Sequence, residues 1–160
     1  MNIEELVQQD LLKAMRAKSD KNVNQEENNS KIMALRAIKA EIMKAKTAPG
    51  FDAEKFKEAD IIKIMQKMCK DREETAEIYK ANGREDLAEK EINEKKHINV
   101  YLPKPADEAE VEAIVIKIIS ETGASSMKDM GTVIREASAV LGTRSDGKTI
   151  STIVKRNLSK

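Results

Sequence analysis

Apolar residues recur every three or four positions through most of this 160-residue chain. That spacing gathers them on one face of an α-helix. Ile3, Leu6, Val7, Leu11, Ala14 and Met15 predict a first helix ending near Lys18. Ser19 to Ser30 reads SDKNVNQEENNS, nearly devoid of apolar residues, and predicts a loop or a frayed helix extension. A second helix is expected to carry Ile32, Leu35, Ile38, Lys39 and Ile42, and TAPGFD at 47–52 stops it: Pro49 lacks a backbone donor and Gly50 permits a turn. A long third helix is expected from about Ala53 to Ala81, with Phe56, Ala59, Ile62, Met65, Met68 or Cys69, Ala76 and Tyr79 on its apolar side. Asn82-Gly83 ends it, and Arg84-Glu85-Asp86-Leu87 opens a fourth helix that reaches about Val100.

YLPKPAD at 101–107 breaks the helical pattern, because two prolines stiffen a short connector there. Beyond it, Val111, Ile114, Val115, Ile118 and Ile119 mark one short helix. Met130, Ile134, Ala137 and Leu141 mark a second, and Ile150, Ile153, Val154 and Leu158 a third. The predicted fold class is therefore all-α. A helical N-terminal domain over 1–102 is expected, followed by a small three-helix domain over 103–160.

Composition supports that class and narrows the chemistry. Charged residues make up 36% of the chain and aromatic ones 2%, with a formal net charge of +1. The chain as a whole is not a polycation, so binding to nucleic acid requires charge to be segregated locally. Cys69 is the sole cysteine, which excludes an internal disulfide and any multi-cysteine zinc site. Its apolar neighbours predict a buried helix position. The opening MNIEELVQQD does not resemble a signal peptide. The apolar run at 114–119, broken by Lys117, is far too short to span a bilayer. A soluble cytoplasmic protein with no membrane partner is the expectation.

The segment TGASSMKDMG, 122–131, is the one stretch dense in small and polar residues. Gly123 suits a helix C-terminus, and Ser126 and Asp129 have capping-box spacing. Ser125, Ser126 and Lys128 lack the oxyanion hole and pocketed base that a serine nucleophile needs. No phosphate-binding GKS or GKT follows, and no strand precedes. Gly131 falls inside the next helix, where glycine costs about 1 kcal/mol relative to alanine. Close packing of another helix is the preferred explanation, and approach of a ligand the other. His97, the single histidine, lies among Lys95 and Lys96 and reads as part of a solvated face. No catalytic constellation, metal site, cofactor or small-molecule substrate is inferred.

Charge changes sign within the tail. Asp107, Glu108, Glu110, Glu112 and Glu121 face only Lys117 on its first helix. Afterwards Lys128, Arg135, Arg144, Lys148, Lys155, Arg156 and Lys160 outnumber Asp129, Glu136 and Asp146. Lys148 and Lys155 are seven apart and share a helix face with Thr152. Helix starts near Ser126 and at Asp146-Gly147 add free backbone N–H groups, and together these groups can hold phosphates. An ordinary solvated basic surface explains the same residues. The scarcity of aromatics argues against a base-stacking single-strand binder and favours structured RNA held by its backbone.

Three motifs stand in order: ANGREDLAEKE at 81–91, YLPKP at 101–105, and ETGASSMKDMGTVI at 121–134 with DGKTIS at 146–151. Together with LRAIKAEI at 35–42, they closely resemble the YqeY proteins of the GatB/YqeY family. The likeness covers nearly the whole chain. It departs at Thr132, where family members often carry lysine, and in the loop 142–147, which looks one residue longer. Arg144 is the expected substitute for the missing lysine.

The resemblance implies helices throughout and a tail like the one that ends the GatB chain of the tRNA-dependent amidotransferase, which amidates Glu-tRNA(Gln) or Asp-tRNA(Asn). There the tail helps engage tRNA, while the catalytic sites belong to a larger domain and to another chain of that enzyme. The implied function is a non-catalytic tRNA-binding or amidotransferase-associated protein, with tRNA and a translation enzyme as partners. The expected RNA contacts are Lys128, Arg135, Arg144, Lys148, Lys155 and Arg156, with Gly131 and Gly147 allowing close backbone approach. The alternatives are a protein-interaction adaptor in translation, and a carbon–nitrogen ligase using glutamine as amido donor, which is the activity attached to the family label.

Overall fold

The computed structural model describes residues 1–159, so Lys160 lies outside the described residues. The chain is all-helical: seven α-helices, three short 3-10 turns and no strand among the described residues. The helices are α1 (Ile3–Arg16), α2 (Gln25–Lys46), α3 (Glu58–Ala81), α4 (Glu85–Asn99), α5 (Glu108–Thr122), α6 (Met130–Leu141) and α7 (Gly147–Leu158). They divide into two compact units, Met1–Leu102 and Pro103–Lys160.

The first unit is two helical hairpins sharing one core. Asn2 starts α1 by accepting the Glu5 N–H at 2.9 Å, while the Glu5 carboxylate accepts the Asn2 N–H at 3.2 Å, a reciprocal cap. Lys46 at the end of α2 reaches Glu4 at the start of α1, at 2.9 Å, so the two helices run antiparallel. α3 and α4 turn back on each other at Asn82-Gly83, where Gly83 has φ +73° and the Arg84 N–H reaches the Tyr79 carbonyl at 2.8 Å. Ile3, Val7, Leu11 and Ala14 of α1 meet Leu35 and Ile38 of α2, Met65 and Cys69 of α3, and Ile98 of α4. The Tyr101 hydroxyl donates to the Asp10 carboxylate and ties the end of the unit to α1. Burial and that carboxylate hold the phenol's pKa far above its ordinary value.

The polar stretch Ser19–Ser30 differs from its expectation. Its second half is helix: Asn24 caps α2 by accepting the Glu27 N–H at 3.1 Å, and α2 begins at Gln25. The buried positions here are polar, so apolar periodicity could not reveal them. Asn28 is only 7% exposed and donates to the Ala14 carbonyl at 2.8 Å. Gln25 donates to the Ala17 and Asp20 carbonyls, both at 2.9 Å. These amides satisfy carbonyls that a helix end leaves without partners.

The start of α3 also shifts, from the expected Ala53 to Glu58. Asp52 accepts the Glu54 N–H at 3.0 Å, and Asp60 accepts the Lys57 N–H at 2.8 Å. The first bond holds a local turn ahead of the helix, and the second closes the helix N-terminus at Lys57, so α3 begins there. Phe56 therefore lies in the preceding turn, its ring edge-on to Phe51 at 5.3 Å.

His97 is not on a solvated face. Its side chain is 13% exposed, and Nε2 lies 2.9 Å from the Glu27 carboxylate without hydrogen-bond alignment. Burial, more than the neighbouring charges, lowers its pKa. Cys69 is buried as expected, and burial raises its thiol pKa.

The second unit is a three-helix cluster around Val111, Val115, Ile118, Val133, Ala137, Leu141, Ile150, Ile153, Val154 and Leu158. Gly123 ends α5 in the left-handed conformation, φ +70°. Asp129 accepts the Ser125 and Ser126 N–H groups at 3.0 and 3.4 Å, holding a 3-10 turn at 127–129 that leads into α6. Helix packing does not explain Gly131. It is exposed in the first turn of α6, and a Cβ added there would meet nothing within 4 Å.

Replacing Asn28 with alanine removes the buried bond from its amide to the Ala14 carbonyl. The expected cost is about 1–3 kcal/mol of unfolding free energy, read from urea denaturation. A change no larger than that of an exposed Asn29→Ala control would show that the amide is not holding the α1–α2 junction.

Candidate nucleic-acid interface

α7 divides its residues between three directions. Ile150, Ile153, Val154 and Leu158 enter the core. Arg156 and Asn157 turn to α5. The Arg156 guanidinium meets Glu108 at 2.8 Å and Glu112 at 3.1 Å, and Asn157 donates to Glu112 at 3.2 Å. Lys148, Thr152 and Lys155 remain on the outward side, all exposed. The helix opens at Asp146, whose side chain accepts the Thr149 N–H at 2.7 Å. The Gly147 and Lys148 N–H groups precede the first intrahelical donor, so they are left for an external acceptor.

α6 and the turn before it show a similar division. Val133, Ala137 and Leu141 are buried, while Lys128, Gly131 and Arg135 lie three and four residues apart and are exposed. The Lys128 N–H donates to Ser126 Oγ at 3.4 Å, but its side chain extends freely. Among the described residues, the side chains of Lys128, Arg135, Lys148 and Lys155 have neither an ion pair nor a hydrogen bond. Thr132, next to Gly131, is exposed as well.

Arg144 occupies a different position. It donates to both Glu110 carboxylate oxygens, at 2.8 and 2.9 Å, and to the Lys104 carbonyl at 3.1 Å. Its own carbonyl accepts the Ala106 N–H at 2.8 Å. Arg144 thus fastens the proline-bearing segment before α5 to the turn after α6. In this arrangement it does not stand in for a lysine at position 132.

Of the eight candidate positions, then, six are open: Lys128, Gly131, Arg135, Gly147, Lys148 and Lys155. Arg144 and Arg156 are neutralised from within by α5. Sequence reasoning weighed all the cations alike, because a one-dimensional charge pattern does not show which acid faces which base. The signal that could have separated them is the acidic α5 itself, whose carboxylates at 108, 110 and 112 need cationic neighbours.

Elsewhere, no group of three or more His, Cys, Asp or Glu among the described residues comes together to hold a metal ion. No helix among them is long and apolar enough to cross a membrane. Ser125 and Ser126 are exposed and engaged with Asp129 through their N–H groups.

The arrangement can bind an extended anion through point charges and backbone donors. It presents no aromatic platform, since both Phe residues and both Tyr residues fall in the first unit. The YqeY-like protein family model matches residues 4–158, and the chain belongs to that family. No curated protein matches it.

Arg144→Ala should lower stability by about 1 kcal/mol, the sum of a half-exposed ion pair and a lost bond to a carbonyl. Lys148→Ala should stay within about 0.5 kcal/mol of the parent. Thermal unfolding of the two variants checks this, and equal effects would contradict the division of roles.

Proposed function

We propose that this YqeY-family protein binds tRNA, without catalysis of its own, through the outward faces of α6 and α7. One observation carries the reading. The tail unit pairs its α5 carboxylates with Arg144 and Arg156 yet leaves Lys128, Arg135, Lys148 and Lys155 exposed and unpaired. Unpaired cations on the outward side of a unit that is nearly neutral in composition are the segregation that phosphate binding requires. The resemblance of the tail to the end of the amidotransferase's GatB chain supports tRNA as the polyanion.

The physical mechanism is neutralisation of phosphates with release of condensed counterions. Lys148 and Lys155 lie about 10 Å apart along the helix axis, at 1.5 Å per residue. They contact separate phosphates, while the Gly147 and Lys148 N–H groups supply donors at the helix end. Gly131 and Gly147 have no side chain to hold a backbone away. Selectivity comes from the shape of a folded RNA, because the surface offers no base-stacking side chain. By this reading the protein recruits or presents tRNA to a translation enzyme, as the related tail does within its own enzyme.

The test is binding to total tRNA over a salt series. Affinity should fall steeply with salt, and Lys148→Ala with Lys155→Ala should flatten the log–log slope by between one and two. Arg156→Gln should change the slope far less. An unaltered slope in the double variant removes the proposed face. Absence of binding at low salt, with a translation enzyme still captured after nuclease treatment, favours the adaptor reading. Glutamine-dependent amidation by the purified chain alone would replace both.

A further inference from the structure

The first unit contains an acidic cleft that the RNA-binding reading does not use. It lies between the first half of α2 and α4, with a volume of about 600 Å³. That is within the range of small-molecule sites. Glu26, Glu27, Asp86, Glu89 and Glu94 line it, against Lys90 alone among the cations. Glu26, Glu27 and Asp86 sit in first helical turns, where the helix dipole already favours carboxylates. Asp86 is further paired with Arg84, and Glu27 lies 2.9 Å from His97. The acidic rim alone therefore says little.

Glu94 is different. It is in the middle of α4, far from either helix end, and is 8% exposed. Its carboxylate lines the cleft, yet it makes no hydrogen bond or ion pair among the described residues. Arg72 is the main compensating charge, but its Nη1 donates to the Met68 carbonyl of its own helix at 3.3 Å, and its buried Nε has no hydrogen-bond partner. Ser30 is also on the cleft wall, but its Oγ is enclosed and out of reach of the cleft. A mostly buried carboxylate that lines an open cleft and takes no hydrogen bond from its own chain is suited to a donor from outside.

We propose that this cleft binds a small aliphatic polyammonium ion, a linear di- or polyamine. An ammonium group carries only donors, which suits acceptor carboxylates. A divalent metal fits poorly, because no three acidic groups come close enough to share one. An aromatic or quaternary cation fits poorly too, because no aromatic ring lines the cleft. One ammonium sits on Glu94, the methylene chain lies along Met33, and the second ammonium reaches the rim carboxylates near Glu89. The site is in the unit that carries none of the proposed RNA contacts, so it stands or falls separately from that reading.

Spermidine titrated into the full chain without RNA, at constant ionic strength, tests it by calorimetry and by amide chemical shifts. One saturable equivalent is expected, with shifts at residues 24–33 and 86–94. Glu94→Gln should weaken binding about tenfold or more, the effect of losing one charged hydrogen bond. Glu94→Gln is nearly isosteric, and Glu89→Gln at the exposed rim offers a second variant whose fold is not at risk; it should weaken binding by a smaller factor. n-Butylamine, which supplies a single ammonium as a lysine side chain would, should bind more weakly than spermidine. Unsaturable binding, equal affinity in Glu94→Gln, an equal response to magnesium chloride, or butylamine binding as tightly as spermidine would overturn the proposal.

Discussion

Glu108, Glu110 and Glu112 lie along the first turns of α5, and two arginines from the far end of the chain come back to meet them. That pairing organises the tail unit. Apolar burial brings α5, α6 and α7 together, but it is not directional. The bidentate Arg144–Glu110 contact and the Arg156 bridge between Glu108 and Glu112 fix which side of α7 faces α5. Once that side is fixed, Lys148 and Lys155 are left on the other. The same acids that explain why the tail looks nearly neutral in composition thereby expose an unpaired basic face.

The first unit relies on polar groups in an unusual share of its helix contacts. Asn28, Gln25, His97 and Glu94 occupy positions where α2 meets α1 or α4 and where an amphipathic pattern would have placed apolar side chains. Buried polar groups constrain register more tightly than apolar ones, because a shifted helix leaves them unsatisfied. Asn28 is satisfied by Ala14, while the Glu94 carboxylate takes no hydrogen bond among the described residues. That contrast separates a structural polar contact from one that awaits a ligand.

Much of the fold was legible because its signals are local. Gly83 and Gly123 end helices in the left-handed conformation, as their positions after periodic apolar runs indicated. Ser126 and Asp129 form the reciprocal cap that their spacing implied. The buried residues of α7 are the four that its periodicity named. What escaped the sequence is non-local or polar. The start of α2 and the burial of His97 depend on partners in other helices, which hydropathy does not see. Gly131 was expected to receive a neighbouring helix and instead faces open space. The candidate site was half legible: its lysines were found, but the commitment of Arg144 and Arg156 to α5 needed three dimensions.

The central claim is that tRNA meets the side of the tail turned away from the α5 carboxylates. Amide chemical-shift mapping of the full chain with tRNA at low salt tests it most directly. The account predicts shifts concentrated at residues 128–135 and 147–155, with the amides of Glu108, Glu110 and Glu112 essentially unmoved. Shifts confined to Met1–Leu102, or running along α5, would contradict it.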